Sequence, residues 1–286
     1  MRQLHDIERQ EAAMATLTNL TSVFEGIASM RIASIKNQVL QATRFFHELW
    51  HIYSQLRVDG LFRFGRSQAD QADLIDKELY VVITAEGGFS GDIDAKLVSL
   101  MLKTYDKTKH DIIVIGHHGA IQLAQAGIGY KKYFKLPVKD QNINVTPIIK
   151  EVQRYNSTTV FYQEYVSLFI QDVKRIELLS VVQNVGKGVA AKEDMISETT
   201  YIFEPSTFAV IDHLERSMLH IAMSQLILDS KLAQYASRFR AMSNSHEKAK
   251  DAKDDLRVQM NRTRRALKDE RLKEVVNSLH KLEVIA

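Results

Sequence analysis

The chain has 286 residues, a formal net charge of +3 and no cysteine. The length allows one or two domains, and the lack of cysteine excludes disulfides, cysteine-ligated zinc and thiol catalysis. A charge this small gives no argument for nucleic-acid binding. No apolar run approaches the roughly 18 residues that span a bilayer, and the N-terminal stretch lacks the apolar core of a signal peptide. We therefore expect a soluble, cytoplasmic protein.

Glycine and proline, which interrupt helices, divide the chain into three segments. Before residue 60 only Gly26 occurs, and no glycine or proline follows Pro205. We predict an N-terminal coiled-coil helix at 1–59, a central α/β domain at 60–200 and a C-terminal coiled-coil helix at 201–286.

Apolar residues recur every three or four positions in the C-terminal segment, which is typical of a coiled coil. About 80 residues of helix span on the order of 120 Å. Ser206 or Thr207, after Pro205, is a suitable cap for its start. Four polar residues interrupt the seam, which suits a helix whose partner ends before its tip: Gln225, His246, Lys253 and Thr263.

The N-terminal segment carries two apolar stripes that could pack against part of the C-terminal helix. The first comprises Ala13, Leu17, Leu20, Phe24 and Ile27, and the second comprises Ile32, Ile35, Val39, Ala42, Phe46, Leu49, Tyr53 and Leu56. The simplest arrangement is an antiparallel pair joined through the middle domain. The periodicity is equally compatible with a compact bundle or a dimer of coiled coils.

The middle segment alternates strand and helix patterns, which predicts a small, partly parallel, Rossmann-like sheet. ELYVVITAEGGFSGDIDAKLVSLMLKTY indicates strand, glycine turn and helix, and HDIIVIGHHGAIQLAQAG repeats that plan. TTVFYQEYVSLFIQDVKRIELLSVV has the β-branched and aromatic character of strands. The predicted fold class is therefore α/β with long helices, an antiparallel coiled coil plus a small domain.

Two glycine-containing turns raise the question of a chemical site. EGGFSGD, residues 86–92, lies where phosphate loops lie, but Asp92 stands where a phosphate loop needs lysine. His117 and His118 in GHHG point in different directions on regular backbone and do not chelate one metal by themselves. We interpret the first as a tight structural turn and the second as a pair of loop histidines. Glu204, beside a helix start, is interpreted as a structural joint.

The segment at residues 246–273 mixes both charge signs, with Lys and Arg in excess. A solvated helix face explains it, and so does a helix inserted among partners with acidic surfaces. Nothing in the chain pairs a nucleophile with a base, so we expect no catalytic residue, no cofactor and no metal site.

Four motifs in order along the chain resemble the gamma subunit family of F-type ATP synthases and ATPases. They are the junction Tyr201–Ser206, the stretch Ala236–Met242, the first-helix stretch Leu20–Ser29 and Asn261–Arg264. The resemblance covers almost the whole chain.

The chain also departs from the family pattern. Thr84–Gly91 replaces the usual Ser-Asp-Arg-Gly-Leu-Cys-Gly turn, Gln234 stands where glutamate is usual, and Gly26 interrupts the first helix. The Ala-Glu-x-Gly-Phe-x-Gly form is similar to the divergent second F-type ATPases called N-ATPases. A repurposed F-type-like ATPase remains open.

The resemblance implies a central-stalk rotor that couples ATP synthesis or hydrolysis in a hexamer to proton or sodium transport. The implied partners are alpha- and beta-type subunits, an epsilon-type subunit and a membrane rotor ring, with the chain peripheral on the inner face of the cell membrane. The implied coupling contacts are Phe24, Glu25, Arg31, Arg238, Met242, Arg262, Arg264 and Arg265. The alternatives are a coiled-coil scaffold or adaptor, and a nucleotide-binding α/β enzyme with helical arms.

Overall fold

A computed structural model describes residues 2–55, 74–137, 140, 143–178, 204 and 206–283. The chain forms two compact units, a terminal unit (Met1–Ile27 with Phe239–Ala286) and a central unit (Ala28–Arg238). Helices α1 (Arg2–Gln55) and α5 (Thr207–Glu283) contribute to both. The predicted segment boundaries near residues 60 and 200 lie outside the described residues, so the division into 1–59, 60–200 and 201–286 stays a prediction.

The central unit contains a five-stranded sheet in the order β3-β2-β1-β4-β5. The strands are β1 (Ile75–Ile83), β2 (His110–Ile115), β3 (Lys132–Phe134), β4 (Tyr155–Tyr165) and β5 (Gln171–Glu177). The first four are parallel and β5 is antiparallel to β4. Three short helices accompany them: α2 (Ile93–Leu102), α3 (His117–Gln125) and α4 (Thr146–Val152). This arrangement confirms the predicted fold class, α/β with long helices and a Rossmann-like sheet.

Both faces of the sheet are covered, which is why β1 and β2 are nearly continuous apolar runs. One face packs with α1, α4 and α5, where Phe46, Ile149 and Met218 are buried. The other face packs with α2 and α3 through Leu97 and Leu123.

Helices α1 and α5 are antiparallel within the central unit, as predicted. Ile35 packs with Leu228 and Leu232, and the Tyr53 hydroxyl donates to Glu215 Oε1 at 3.1 Å. The second predicted stripe of α1 supplies this interface.

Within the terminal unit the same two helices are again antiparallel. His246 Nδ1 lies 3.0 Å from the Thr18 carbonyl oxygen and 3.5 Å from Thr21 Oγ1, and Arg264 Nη2 donates to Glu8 Oε1 at 2.7 Å.

The predicted first stripe of α1 does not pack against α5 but is exposed. Thr18 and Thr21 are the buried side chains here, whereas the apolar residues of that stripe, from Leu17 to Ile27, are exposed. Each buried threonine donates to the carbonyl four residues earlier. Their hydroxyls are thereby satisfied inside the helix, so they can face α5 at little cost.

Polar residues in the α5 seam also have partners on α1. Gln225 Nε2 donates to Thr43 Oγ1 at 3.1 Å, and His246 meets Thr18. The interpretation that these two mark the loss of a partner helix is therefore wrong.

The predicted cap is confirmed at Ser206, whose hydroxyl accepts from the Ala209 amide at 3.2 Å. Gly26 does not interrupt α1, because the helix runs unbroken through it.

Candidate functional site

An exposed apolar stripe runs along α1 in the terminal unit, on residues that do not face α5. Its members are between 39% and 58% exposed and recur at helical spacing: Leu17, Leu20, Val23, Phe24 and Ile27. Large apolar side chains clustered on one helix face mark a surface that a partner covers. Two predicted contact residues, Phe24 and Glu25, belong to this region, with Glu25 half-buried.

The predicted contact residues of α5 in the terminal unit divide into two groups. Arg262, Arg264 and Arg265 are exposed, and only Arg264 among them has a described ion pair, to Glu8 at 2.7 Å. Met242 is 6% exposed and thus packed within the unit. The three arginines are individually open to a partner, whereas a contact through the Met242 side chain stays a prediction.

Arg31 forms an ion pair inside the central unit. Its Nη1 lies 3.2 Å from Asp140 Oδ2, and Asp140 is also paired with Lys231 of α5. Lys231 Nζ donates in addition to the Pro137 carbonyl at 2.7 Å. Asp140 therefore ties α1 and α5 to one loop, and Arg31 keeps about half of its side chain exposed.

Arg238 holds the glycine turn that follows β1. Its Nε donates to the Gly88 carbonyl at 3.1 Å and its Nη2 to the Gly87 carbonyl at 3.2 Å. The neighbouring Ser237 hydroxyl donates to the Ser90 carbonyl at 2.7 Å. The turn at residues 86–92 is thus docked on α5, which accords with its interpretation as a structural turn.

Sequence reasoning missed a buried polar network at the carboxyl end of the parallel strands, which we call the polar joint. Its members are Asp94 of α2, Gln163 of β4, and Ser230 and Gln234 of α5, all at most 4% exposed. Gln163 Nε2 donates to Asp94 Oδ1 at 2.7 Å, and the Ser230 hydroxyl donates to Gln163 Oε1. Gln234 Nε2 donates to Ser230 Oγ at 3.1 Å. The signal in the sequence was the four-residue spacing of Ser230 and Gln234, which places both polar side chains on one face of α5.

The polar joint lies where an open α/β sheet would receive a ligand. In such sheets, ligands bind outside the carboxyl ends of the strands where the strand order reverses. Here that point lies between β1 and β4, since β2 and β3 follow β1 on one side and β4 lies on the other. Ser230, Gln234 and Ser237 of α5 contact Gln163 of β4 and Ser90 beyond β1. The chain's own helix fills the crevice.

The pKa values of the buried Asp94 and the half-buried Asp229 are raised. Burial raises the pKa of Asp94, and hydrogen bonds from the Ala85 amide and from His118 and Gln163 oppose the shift. Burial, assisted by the charge of Glu164, raises the pKa of Asp229 to about 7. Both groups lie in the central unit, Asp94 on α2 and Asp229 on α5.

The two histidines begin α3 and do not lie in a loop, so that interpretation is wrong. His118 Nδ1 lies 3.0 Å from Asp94 Oδ2.

In the part of the chain that the structure describes, no three His, Asp or Glu side chains form a group able to hold a metal ion. Within the same residues, no helix is long and apolar enough to cross a membrane.

Glu204 is exposed just before α5. The remainder of the Tyr201–Pro205 junction lies outside the described residues.

The family model described as ATP synthase matches residues 3–282. The ATP synthase gamma chain of Chlorobium phaeobacteroides is 25% identical over 304 residues, covering 99% of each chain. That of Pelotomaculum thermopropionicum is 23% identical over 293 residues, covering 99% of this chain and 100% of the relative.

Solved structures share the fold. A chain of the Euglena gracilis mitochondrial ATP synthase, in a structure of OSCP/F1/c-ring, superposes with a TM-score of 0.64 at 14% identity, covering 97% of this chain and 95% of that one. A chain from the central stalk/c-ring structure of the Tetrahymena thermophila mitochondrial ATP synthase gives 0.53 at 18% identity, covering 79% and 98%. With the family model spanning nearly its whole length, and with the order of long helix, small sheet and long helix, this chain belongs to the gamma-chain family of ATP synthases.

Proposed function

We propose that this chain is the central-stalk rotor of an F-type ATP synthase or ATPase. It couples ATP synthesis or hydrolysis in a hexamer of alpha- and beta-type subunits to rotation, and rotation to proton or sodium transport. Its further partners are an epsilon-type subunit and a membrane rotor ring. The complex places it on the cytoplasmic side, at the inner face of the cell membrane.

The observation that carries this proposal is the exposed apolar stripe of α1 in the terminal unit. A helix pair that kept its apolar residues inside would suit a free-standing arm in solvent. Here residues 17–27 present five large apolar side chains outward, while α5 in the same unit presents arginines. One surface of the unit is apolar, and α5 carries exposed arginines elsewhere on it.

Such asymmetry is what a rotor needs. A rod inside a threefold ring contacts the three catalytic subunits differently only when its own surface is not threefold. It can then shift each subunit's conformational equilibrium by the difference in contact free energy between conformers. Rotation in steps carries this bias from one catalytic subunit to the next.

The coupling contacts proposed for α1 are Phe24, Glu25 and Arg31. Those proposed for α5 are Arg238, Met242, Arg262, Arg264 and Arg265. Exposure supports Phe24 and the three distal arginines most directly. Arg31 and Arg238 hold loops of the central unit, so their contribution to partner contacts includes positioning those loops.

The chain acts as a non-catalytic subunit. The filled crevice at the sheet's switch point supports this assignment, because α5 occupies the place where an α/β enzyme of this topology would bind its ligand. ATP chemistry belongs to the catalytic subunits of the hexamer.

Native mass spectrometry of the complex, purified through a tag on this chain, tests the proposal. We expect one copy of this chain with three copies each of two nucleotide-binding subunits. Accompanying membrane-ring subunits distinguish an ion-coupled machine, standard or N-type, from a repurposed soluble motor. A homodimer or a lone monomer under gentle conditions would contradict the rotor function and favour a coiled-coil scaffold.

A further inference from the structure

The attachment of α5 to the carboxyl edge of the sheet is polar, although the rest of its contact with the sheet is apolar. Deeper in the same face, α5 packs through Met218, Met223 and Ile227. From residue 230 onward hydrogen bonds join the apolar contacts, first in the polar joint and then from Ser237 and Arg238 to the turn at residues 86–92.

This change of chemistry has a mechanical consequence. Apolar packing is non-directional, so a helix held by it alone resists rotation and sliding weakly. Hydrogen bonds weaken steeply when their angles change, and a fully satisfied buried network specifies one arrangement. Residues 230, 234, 237 and 238 lie at four-residue and seven-to-eight-residue spacing and so share one face of α5. Together they fix the angle of α5 about its own axis relative to the sheet.

We infer that the polar joint, with the docked turn, is the connection through which torque passes between α5 and the α/β domain. Gln163 is its central positioning residue, because it contacts Asp94, Ser230 and Gln234 at once. This inference rests on the proposed rotor function and adds to it the residues that transmit torque between α5 and the α/β domain.

The first variant removes the centre of the joint without changing its volume much. Gln163→Met removes one hydrogen bond from each of Asp94, Ser230 and Gln234, which raises the population of the undocked joint on the order of tenfold or more. Hydrogen exchange of the amides at residues 230–238, measured in the assembled complex, reports that population. Gln125→Met is the matched control, because Gln125 is an exposed glutamine of α3.

The decisive readout is torsional stiffness. The hexamer is fixed to a surface, a probe is attached to the α/β domain, and its angular fluctuations are recorded while the catalytic subunits are stalled. We expect wider fluctuations for Gln163→Met than for the control, and a smaller maximal ion gradient, with hydrolysis in uncoupled vesicles unchanged. Equal fluctuations in a variant whose joint exchanges faster would overturn the inference.

A reversible cross-link keeps the inference testable if Gln163→Met does not assemble. A Cβ added to Gly91 would lie 3.6 Å from Ser237 Oγ, and the strain of a side chain at its φ of +66° is common to the oxidised and reduced forms of one variant. The chain has no native cysteine. In the double variant Gly91→Cys with Ser237→Cys, oxidation should narrow the angular fluctuations and reduction should restore them. Fluctuations that do not respond to the redox state of a formed cross-link would also overturn the inference. If no hexamer co-purifies at all, it is the proposed function that fails, and native mass spectrometry shows this separately.

Discussion

Lys231 and Asp140 form an ion pair in which each side chain is only 3% exposed. Lys231 also donates to the Pro137 carbonyl, and Asp140 also accepts from Arg31. A buried pair is costly to form, but removing one partner is costlier, because without Lys231 the buried Asp140 keeps only the half-exposed Arg31 as a counter-ion.

We therefore expect Lys231→Met to lower the free energy of unfolding by about 3 kcal/mol. Adding Asp140→Leu should recover part of this loss, since no buried charge then remains. Denaturant unfolding followed by the fluorescence of the single tryptophan, Trp50, measures both. Lys250→Met, at an exposed position, is the control. A double variant as unstable as Lys231→Met would show that the buried charge of Asp140 is not the cause.

Gly119 is predicted to be irreplaceable unless Thr84 changes with it. A Cβ on Gly119 would lie 2.7 Å from Thr84 Oγ1 and 2.8 Å from Thr84 Cγ2, so Gly119→Ala should cost on the order of 2 kcal/mol through overpacking. In the double variant with Thr84→Ala the clash is gone, and we expect less destabilisation than the sum of the two single variants. A double-mutant cycle of unfolding free energies measures the coupling, and simple additivity would refute the clash.

Asp229 should make the stability of the chain depend on pH. Its pKa rises from 3.8 in the unfolded state to about 7 in the folded state, so the folded state binds more protons between these values. Stability attributable to Asp229 is therefore full below pH 3.8 and is lost as the pH rises through about 7.

Asp229→Asn should remove that loss and leave the variant more stable than the wild type at pH 8, by on the order of 2 kcal/mol. Unfolding midpoints of both proteins, measured from pH 5 to pH 8, test this. Parallel pH profiles would contradict the prediction, and Asp251→Asn, at an exposed position of α5, is the control.

The apolar stripe of α1 should matter for assembly and not for folding. Leu20→Ser with Val23→Ser changes two exposed side chains, so the isolated chain should keep its stability to within about 0.5 kcal/mol. Loss of their apolar area from an interface should weaken binding to the hexamer on the order of tenfold or more. Titration of the chain into purified hexamer measures this, and Ile121→Ser, on α3, serves as the control. Unaltered affinity would show that the stripe is not part of the interface with the hexamer.

The distal arginines should matter for coupling. Arg262→Glu with Arg264→Glu reverses two exposed charges, and only the pair of Arg264 with Glu8 is lost inside the terminal unit. An exposed ion pair contributes about 1 kcal/mol or less, so folding should be little affected. We expect fewer ions pumped per ATP hydrolysed, measured in vesicles beside Lys273→Glu as control. An unchanged ratio would exclude these arginines from coupling.

The strand-turn-helix units could be predicted because their apolar runs and glycines are local signals. β1 with α2 and β2 with α3 lie where the pattern placed them. Helix pairing was also predictable from the seam of α5. Which face of α1 is buried near Thr18 could not be predicted. A threonine whose hydroxyl donates to a carbonyl of its own helix can be buried, while leucines remain exposed for a partner.

The polar joint escaped prediction for a related reason. Ser230 and Gln234 have the residue types of a solvated helix face, and only the approach of Gln163 and Asp94 makes that face interior. Such a site depends on residues far apart in the sequence meeting in three dimensions, as Gln163 and Gln234 do across 71 positions. Periodicity within one helix cannot report it.

The helix that fills the crevice of the sheet acts as a ligand that cannot be diluted. A tethered segment binds at an effective concentration set by the chain itself, commonly in the millimolar range. Occupancy of this crevice is therefore independent of nucleotide levels in the cell. An enzyme of the same topology binds a separate ligand at this place, and the occupancy of its crevice follows the concentration of that ligand.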